Sequence, residues 1–344
     1  MAREYRFCFG PWNIHEGADP FGPMVRKSVA MADKLARYRQ LGFEGIMLHD
    51  DDAVPELESL APAQIEQQAA ALKRTLADLG LTPEIVAPRL WEGPQWVDGG
   101  YTANDPKVRA EAIDRSKRCI DIAKAVGTNL VVLWLAREGT YVRESKSPIR
   151  STELLIEAVN QMLAHDPDIR IAIEPKPNEP MDMAYLPTIG HALALGYRTA
   201  DPSRVGALVE TAHAILAGLD PSDEMGFALA AGKLWSVHLN DQNGLKYDQD
   251  KSFGAANLRS AFDQVRVLEE ADYGANGEMV AFDVKAMRTT RQEHDNQHLV
   301  NSRETFLALV EKVRSFDREA ERQMIAARDY EALDQAVLRH LMGI

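Results

Sequence analysis

Cysteine is scarce in this chain: Cys8 and Cys119 are the only two among 344 residues. Far apart in sequence, they form no ligand-spaced pair, and the compartment they imply is a reducing cytoplasm. Basic residues are also in deficit, 39 Lys and Arg against 52 Asp and Glu, for a net charge of −13. A nucleic-acid partner needs a basic face, so this balance argues against one and suits a protein that concentrates divalent cations. No apolar run approaches the length of a membrane span, and the opening Met1-Ala-Arg-Glu-Tyr-Arg6 has no apolar h-region, so a cytoplasmic protein is expected. Internal repeats and low-complexity segments are absent.

What is present is the composition of a globular protein with a sizeable core, 45% hydrophobic and 26% charged. Length alone permits one large domain or two ordinary ones. Short β-rich runs at 6–9, 44–48, 82–86, 129–133, 169–173, 205–209, 234–239 and 278–282 alternate with amphipathic stretches such as 61–79, 108–126 and 258–270. Eight such alternations predict an α/β fold, a parallel sheet closed into a (β/α)₈ TIM barrel. An open doubly wound sheet is the weaker alternative, because no Gly-x-Gly-x-x-Gly follows the first strand. The barrel domain is expected over 1–316. Residues 317–344 are expected to be a helical tail that packs on a neighbouring subunit, since Met324, Ile325, Leu333, Val337, Leu338, Leu341 and Met342 need burial.

The densest chemical signal is Ile171-Ala-Ile-Glu-Pro-Lys-Pro-Asn-Glu-Pro180. An apolar run delivers the carboxylate Glu174 and then the ammonium Lys176, and three prolines stiffen the exit because proline fixes φ and removes a donor. A barrel gathers reactive groups at the carboxyl ends of its strands. There the sequence places His49 and Asp52, Trp134, Glu174 and Lys176, Glu210, His238 and Asn240, and Asp283 and Lys285. Glu210 and His213 share one face if a helix starts at that point, and Asp248 and Asp250 both turn to a cation from a loop. Singly, each pair reads as solvated polar surface. Together, Glu174, Glu210, His238 and Asp283 make one four-ligand set and Glu210, His213, Asp248 and Asp250 a second, bridged by Glu210. Oxygen-rich sets with one imidazole each favour Mg²⁺, Mn²⁺ or Co²⁺. Asp52 on one nitrogen of His49 would leave the other free for acid or base work, whereas Asp50 and Asp51 read as a polar turn. Trp12 and Trp134 are candidate walls for a sugar face.

Beyond these residues, the chain resembles the D-xylose (glucose) isomerases of the short actinobacterial type, from about residue 7 to 316. The likeness is carried by Asp19-Pro-Phe-Gly22, His49-Asp-Asp-Asp52, Asp98-Gly-Gly-Tyr-Thr-Ala-Asn-Asp105, Trp134 with Arg137-Glu-Gly139, Ile173-Glu-Pro-Lys-Pro-Asn-Glu-Pro180, Leu186-Pro-Thr-Ile-Gly-His-Ala-Leu193, Ala231-Gly-Lys-Leu234, Gln242-Asn-Gly-Leu-Lys-Tyr-Asp-Gln-Asp250 and Phe282-Asp-Val-Lys285. It implies an aldose–ketose isomerase that works by hydride shift with two divalent cations, on an unphosphorylated sugar, as a homodimer or homotetramer. His49 with Asp52 would open the cyclic sugar and Lys176 would bond its carbonyl oxygen. Trp12, Trp91, Trp134 and Lys285 would face the substrate, and Phe21 would reach in from a neighbouring subunit. Four departures stand out: His238 where the family has aspartate, Ser236 where it has histidine, Met181 where it has arginine, and Leu135-Ala136 where two glycines follow the tryptophan. A neutral imidazole in place of the anion at position 238 is expected to shift metal preference toward Mn²⁺ or Co²⁺, Leu135 and Ala136 are expected to add bulk beside the sugar pocket, and specificity is expected to turn on His238, Met181 and Leu135. A ketose 3-epimerase or a rhamnose-type isomerase on the same barrel is the alternative, and a DNA phosphodiesterase or a noncatalytic binder the more distant ones.

Overall fold

The computed structural model describes residues 4–344, so the first three residues of the opening segment lie outside it. Eight strands form a closed, all-parallel barrel: β1 Phe7–Phe9, β2 Gly45–His49, β3 Thr82–Ala87, β4 Leu130–Trp134, β5 Arg170–Glu174, β6 Val205–Glu210, β7 Leu234–Leu239 and β8 Val280–Phe282. Each pairs with its neighbours in chain order, and β1 closes on β8. Every expected strand is present, with ends shifted by no more than a residue or two. Both faces of a parallel barrel are buried, which is why these runs read as continuous apolar segments.

The interior of the barrel is filled by side chains of Cys8, Met47, Ile85, Ala87, Leu130, Val132, Ala172, Leu208, Met279 and Ala281. A larger apolar layer lies between the strands and the surrounding helices. The helix Pro106–Val126 shows how a surrounding helix is specified. Asp105 caps it by accepting from Lys107 N, Pro106 sits in the first turn, and Gly127 ends it at φ 111°, a left-handed conformation that suits glycine. Its face of Ala112, Cys119, Ile120, Ala123 and Val126 is buried.

The tail forms two helices, Arg318–Ala327 and Tyr330–Met342. Part of it docks on its own barrel: Val337 is buried, Leu333 and Leu341 pack against the main core, and Lys312 Nζ donates to the carbonyl of His340 at 2.6 Å. Ile325, Leu338 and Met342 remain exposed, so the arm expected from the sequence has one face spent on its own chain.

Candidate active site

Strand register decides what meets at the carboxyl end of the barrel. Trp134 stands beside Glu174, and Glu210 beside His238. Immediately after Glu210 the helix Thr211–Leu216 begins, which turns His213 back so that its Nε2 lies 3.2 Å from Glu210 Oε1. The loop after β7 brings Asp248 Oδ2 within 3.2 Å of the same nitrogen. His213 Nδ1 approaches Glu174 Oε1 at 3.5 Å. His238 Nδ1 faces Glu174, Glu210 and Asp283 at 3.6, 3.7 and 3.9 Å.

These groups open into a cavity of about 470 Å³ that is also lined by Trp12, His49, Trp91, Trp134, Lys176, Asp250 and Lys285. The structure thus gathers nearly every residue proposed from the sequence. Asp52 stands one layer back, with its Oδ2 3.0 Å from His49 Nδ1. Phe21 does not line the cavity of its own chain; it is 82% exposed, edge-on to Tyr247. Leu135, Ala136 and Met181 are absent from the cavity wall, so neither the bulk expected of Leu135 and Ala136 nor the specificity expected of Met181 is expressed at its surface. Ala136 and Met181 are buried, and Leu135 and Ala136 pack behind Trp134. Of the departures from the family pattern, only His238 faces the cavity.

Charge governs the site. Burial, reinforced by neighbouring carboxylates, pushes Glu174, Glu210 and Asp250 well above the ordinary carboxylate range. Burial opposes ionisation of Asp248 too, but the Lys176 ammonium and His213 override it and hold that carboxyl well below the usual range. Lys176 Nζ bonds Asp248 Oδ2 at 2.9 Å and lies 3.3 Å from Glu179, and Lys285 Nζ lies 2.7 Å from Asp250. Both ammonium groups are raised by these partners in spite of burial. Burial lowers His213, which favours the neutral imidazole.

The donor set fits divalent cations. Three groups bring ligand atoms within 4.8 Å of one another: Glu174, Glu210 and His213; Glu210, His238 and Asp283; Glu210, Asp248 and Asp250. Glu210 belongs to all three, while Glu174 falls with His213 rather than with His238 and Asp283, so the grouping differs from the two four-ligand sets expected from the sequence. His213 Nδ1, both ring nitrogens of His238 and Asp248 Oδ1 are buried without a hydrogen-bond partner. Unsatisfied buried polar atoms are costly, and coordination would satisfy those that face the carboxylates.

Other contacts of the site were not foreseen from the sequence, and Asn13 was not named at all. Asn240 holds the cluster together: its Nδ2 donates to Glu210 Oε1 at 2.9 Å and to the Asp283 carbonyl at 3.0 Å, while its Oδ1 accepts from Ala212 N at 2.7 Å. Asn13 Nδ2 and Trp12 Nε1 both donate to Asp283 Oδ1, at 2.6 and 2.9 Å. Asp50 is no polar turn. It is fully buried and bonded by Arg115 Nε and Nη2 at 2.7 and 2.8 Å. Glu138, from the Arg137-Glu-Gly139 motif, has a structural task, accepting the backbone N–H groups of Gly100, Tyr101 and Thr102. The sequence placed Asn240 at its strand end, two residues after His238, but gave it no role.

Comparison with known proteins assigns the barrel to a family. The family model of the xylose isomerase-like TIM barrel matches residues 35–275. A xylose isomerase of Thermus thermophilus is 34% identical over 330 residues, covering 94% of this chain and 84% of its own.

The chain belongs to the xylose isomerase-like TIM barrel family.

A second xylose isomerase, from Thermus caldophilus, is 36% identical over 95% of this chain and 85% of its own. Among solved structures, the family's fold recurs in a D-tagatose 3-epimerase-like protein, TM-score 0.66 at 14% identity over 90% of this chain and 98% of the other. It recurs also in an L-ribulose 3-epimerase, TM-score 0.63 at 17% identity over 92% and 97%. As a member of this family, whose curated relatives are isomerases, the chain is an enzyme. Among the described residues, no helix is long and apolar enough to cross a membrane.

Proposed function

We propose that this enzyme interconverts an unphosphorylated aldose, xylose, glucose or a related sugar, and its ketose by a 1,2-hydride shift that depends on two divalent cations, Mg²⁺, Mn²⁺ or Co²⁺. The observation that carries the reading is the bridged carboxylate and imidazole cluster of Glu174, Glu210, His213, His238, Asp248, Asp250 and Asp283 on the floor of a tryptophan-walled cavity. Cations bound there would supply Lewis acidity, polarising the sugar oxygens at the two carbons between which hydrogen passes.

The protein's own groups do the rest. Trp12, Trp91 and Trp134 wall the cavity with apolar faces and exclude water. Lys176 lies 5.3 Å from the Trp134 ring centroid, where it would donate to the carbonyl oxygen of the open sugar. His49 and Asp52 act on the ring form. Lys176, Lys285 and Arg89 are each already paired with a carboxylate, which leaves none of the three cations free for a phosphate and favours an uncharged substrate.

His238 on β7 favours a second reading, a ketose 3-epimerase or rhamnose-type isomerase, in which carboxylates carry protons. Turnover across pentoses, hexoses, 6-deoxyhexoses and ketoses, each with Mg²⁺, Mn²⁺ and Co²⁺, separates the two. Aldose-to-ketose conversion supports the first, and exclusive ketose epimerisation overturns it. Exposed Phe21 and the exposed Ile325, Leu338 and Met342 support a homodimer or homotetramer in the cytoplasm, with 1–316 as the catalytic domain and 317–344 in contact between subunits.

A further inference from the structure

His49 Nδ1 has two neighbours that make opposite demands. Asp52 Oδ2, at 3.0 Å, can only accept a hydrogen from it. Arg89 Nη2, at 2.7 Å, can only donate one to it, because a guanidinium carries donors and no acceptor. A single ring nitrogen bears either a hydrogen or a lone pair, so both bonds cannot form at once.

The surroundings favour Arg89. Its guanidinium is held on two other sides, since Nε donates to Asp51 Oδ1 at 2.8 Å and Nη1 to Glu92 Oε1 at 3.0 Å. A hydrogen on Nδ1 would therefore point at those of Nη2 across the shorter of the two contacts. Asp52 has other company in either case: its Oδ2 accepts the His49 backbone N–H at 3.0 Å and its Oδ1 lies 3.5 Å from Arg89 Nη2. Nε2 is the nitrogen left over. His49 lines the cavity between Trp12 and Trp91, ring centroids 4.3 and 5.1 Å away.

We propose that Arg89 is a positioning residue that sets the tautomer of His49, holding a lone pair on Nδ1 and the hydrogen on Nε2. The imidazole then presents an N–H donor to the cavity, and Asp52 tethers the guanidinium rather than the ring. Naming a sugar oxygen as the acceptor rests on the isomerase reading; the tautomer does not. A short cluster of Asp51, Glu92, Asp52 and Arg89 thus replaces a carboxylate–imidazole pair, and the group that meets the sugar is a donor before any proton moves.

The test is ¹⁵N NMR of His49 in the Mg²⁺-loaded protein, in mildly alkaline buffer where an imidazole is neutral. The wild type should show a protonated Nε2 and a non-protonated Nδ1. Arg89→Met should move the hydrogen to Nδ1, where Asp52 takes it, while Asp52→Asn should leave it on Nε2. A protonated Nδ1 in the wild type overturns the proposal, as does an Arg89→Met variant with an unchanged tautomer, the result of a merely structural role. If Arg89→Met does not fold, the wild type and Asp52→Asn decide. Absence of turnover with every aldose, beside the expected tautomer, would overturn the isomerase reading alone.

Discussion

Glu210 offers the sharpest perturbation, because it is the one side chain shared by all three ligand groups. Glu210→Gln keeps the shape and leaves Oε1 able to accept from Asn240, so the change is one of charge. A coordinated ion lies nearer to the carboxylate than the 4.8 Å that bounds the spacing of ligand atoms in each group. Even at that separation a unit charge and a divalent ion attract by about 7 kcal/mol with an effective dielectric of about 20. Part of this is offset, since burial already pushes the Glu210 carboxyl well above its ordinary range. If roughly half survives, each ion loses about 3 kcal/mol, or about 100-fold in affinity. Titration calorimetry with Mn²⁺ reads both binding events, and Asp250→Asn, which belongs to one group only, is the control. The Gln variant should weaken both ions together and the Asn variant one of them. Wild-type affinity for either ion in Glu210→Gln would refute the bridging role.

Three further outcomes follow from the geometry. Metal binding should release protons, because folded Glu174, Glu210 and Asp250 hold them above the ordinary carboxylate range, while Asp248, held low, and His213, lowered and neutral, contribute none. Raised folded values also mean that these three groups stabilise the metal-free fold at pH below their unfolded values, and that this contribution is lost as pH rises through the folded ones. Affinity should therefore climb with pH across that window, and calorimetry in buffers of different ionisation enthalpy should detect the protons; a buffer-independent heat would contradict it. Lys176→Met should cut kcat by about 10²-fold or more, measured by steady-state kinetics at saturating metal, and an unchanged kcat would remove Lys176 from the carbonyl. Gly206→Ala places a Cβ 2.4 Å from the Trp235 ring, an overpacking that should cost about 1–3 kcal/mol in chemical denaturation.

The barrel was legible because its signals are local. The strands are largely apolar runs, and several surrounding helices carry their own side-chain cap, as Asp105, Ser147 and Asn257 do. The carboxylate and imidazole cluster was legible for a related reason: strand ends converge in a barrel, so Glu174, Glu210, His238 and Asp283 could be placed from strand position alone. What stayed hidden depends on direction. Arg89 lies two residues past β3 in an unremarkable Pro-Arg-Leu stretch, and only the turn of the chain brings its guanidinium to His49. Asp50 looked like its solvated neighbours, yet the first turn of the helix Asp50–Ala53 rotates it inward onto Arg115. Leu135 and Met181 follow motif residues in sequence but turn away from the cavity, so substitutions that looked decisive for the substrate lie behind its wall.

In the proposed reaction hydrogen moves directly between two carbons of the sugar, and the carboxylates hold cations rather than carry protons. Incubation of aldose deuterated at C2 with the Mg²⁺-loaded enzyme, followed by NMR of the ketose, measures this directly. The account predicts deuterium retained at C1 of the product with no uptake from solvent; loss of the label to water, with solvent hydrogen at C1, would contradict it.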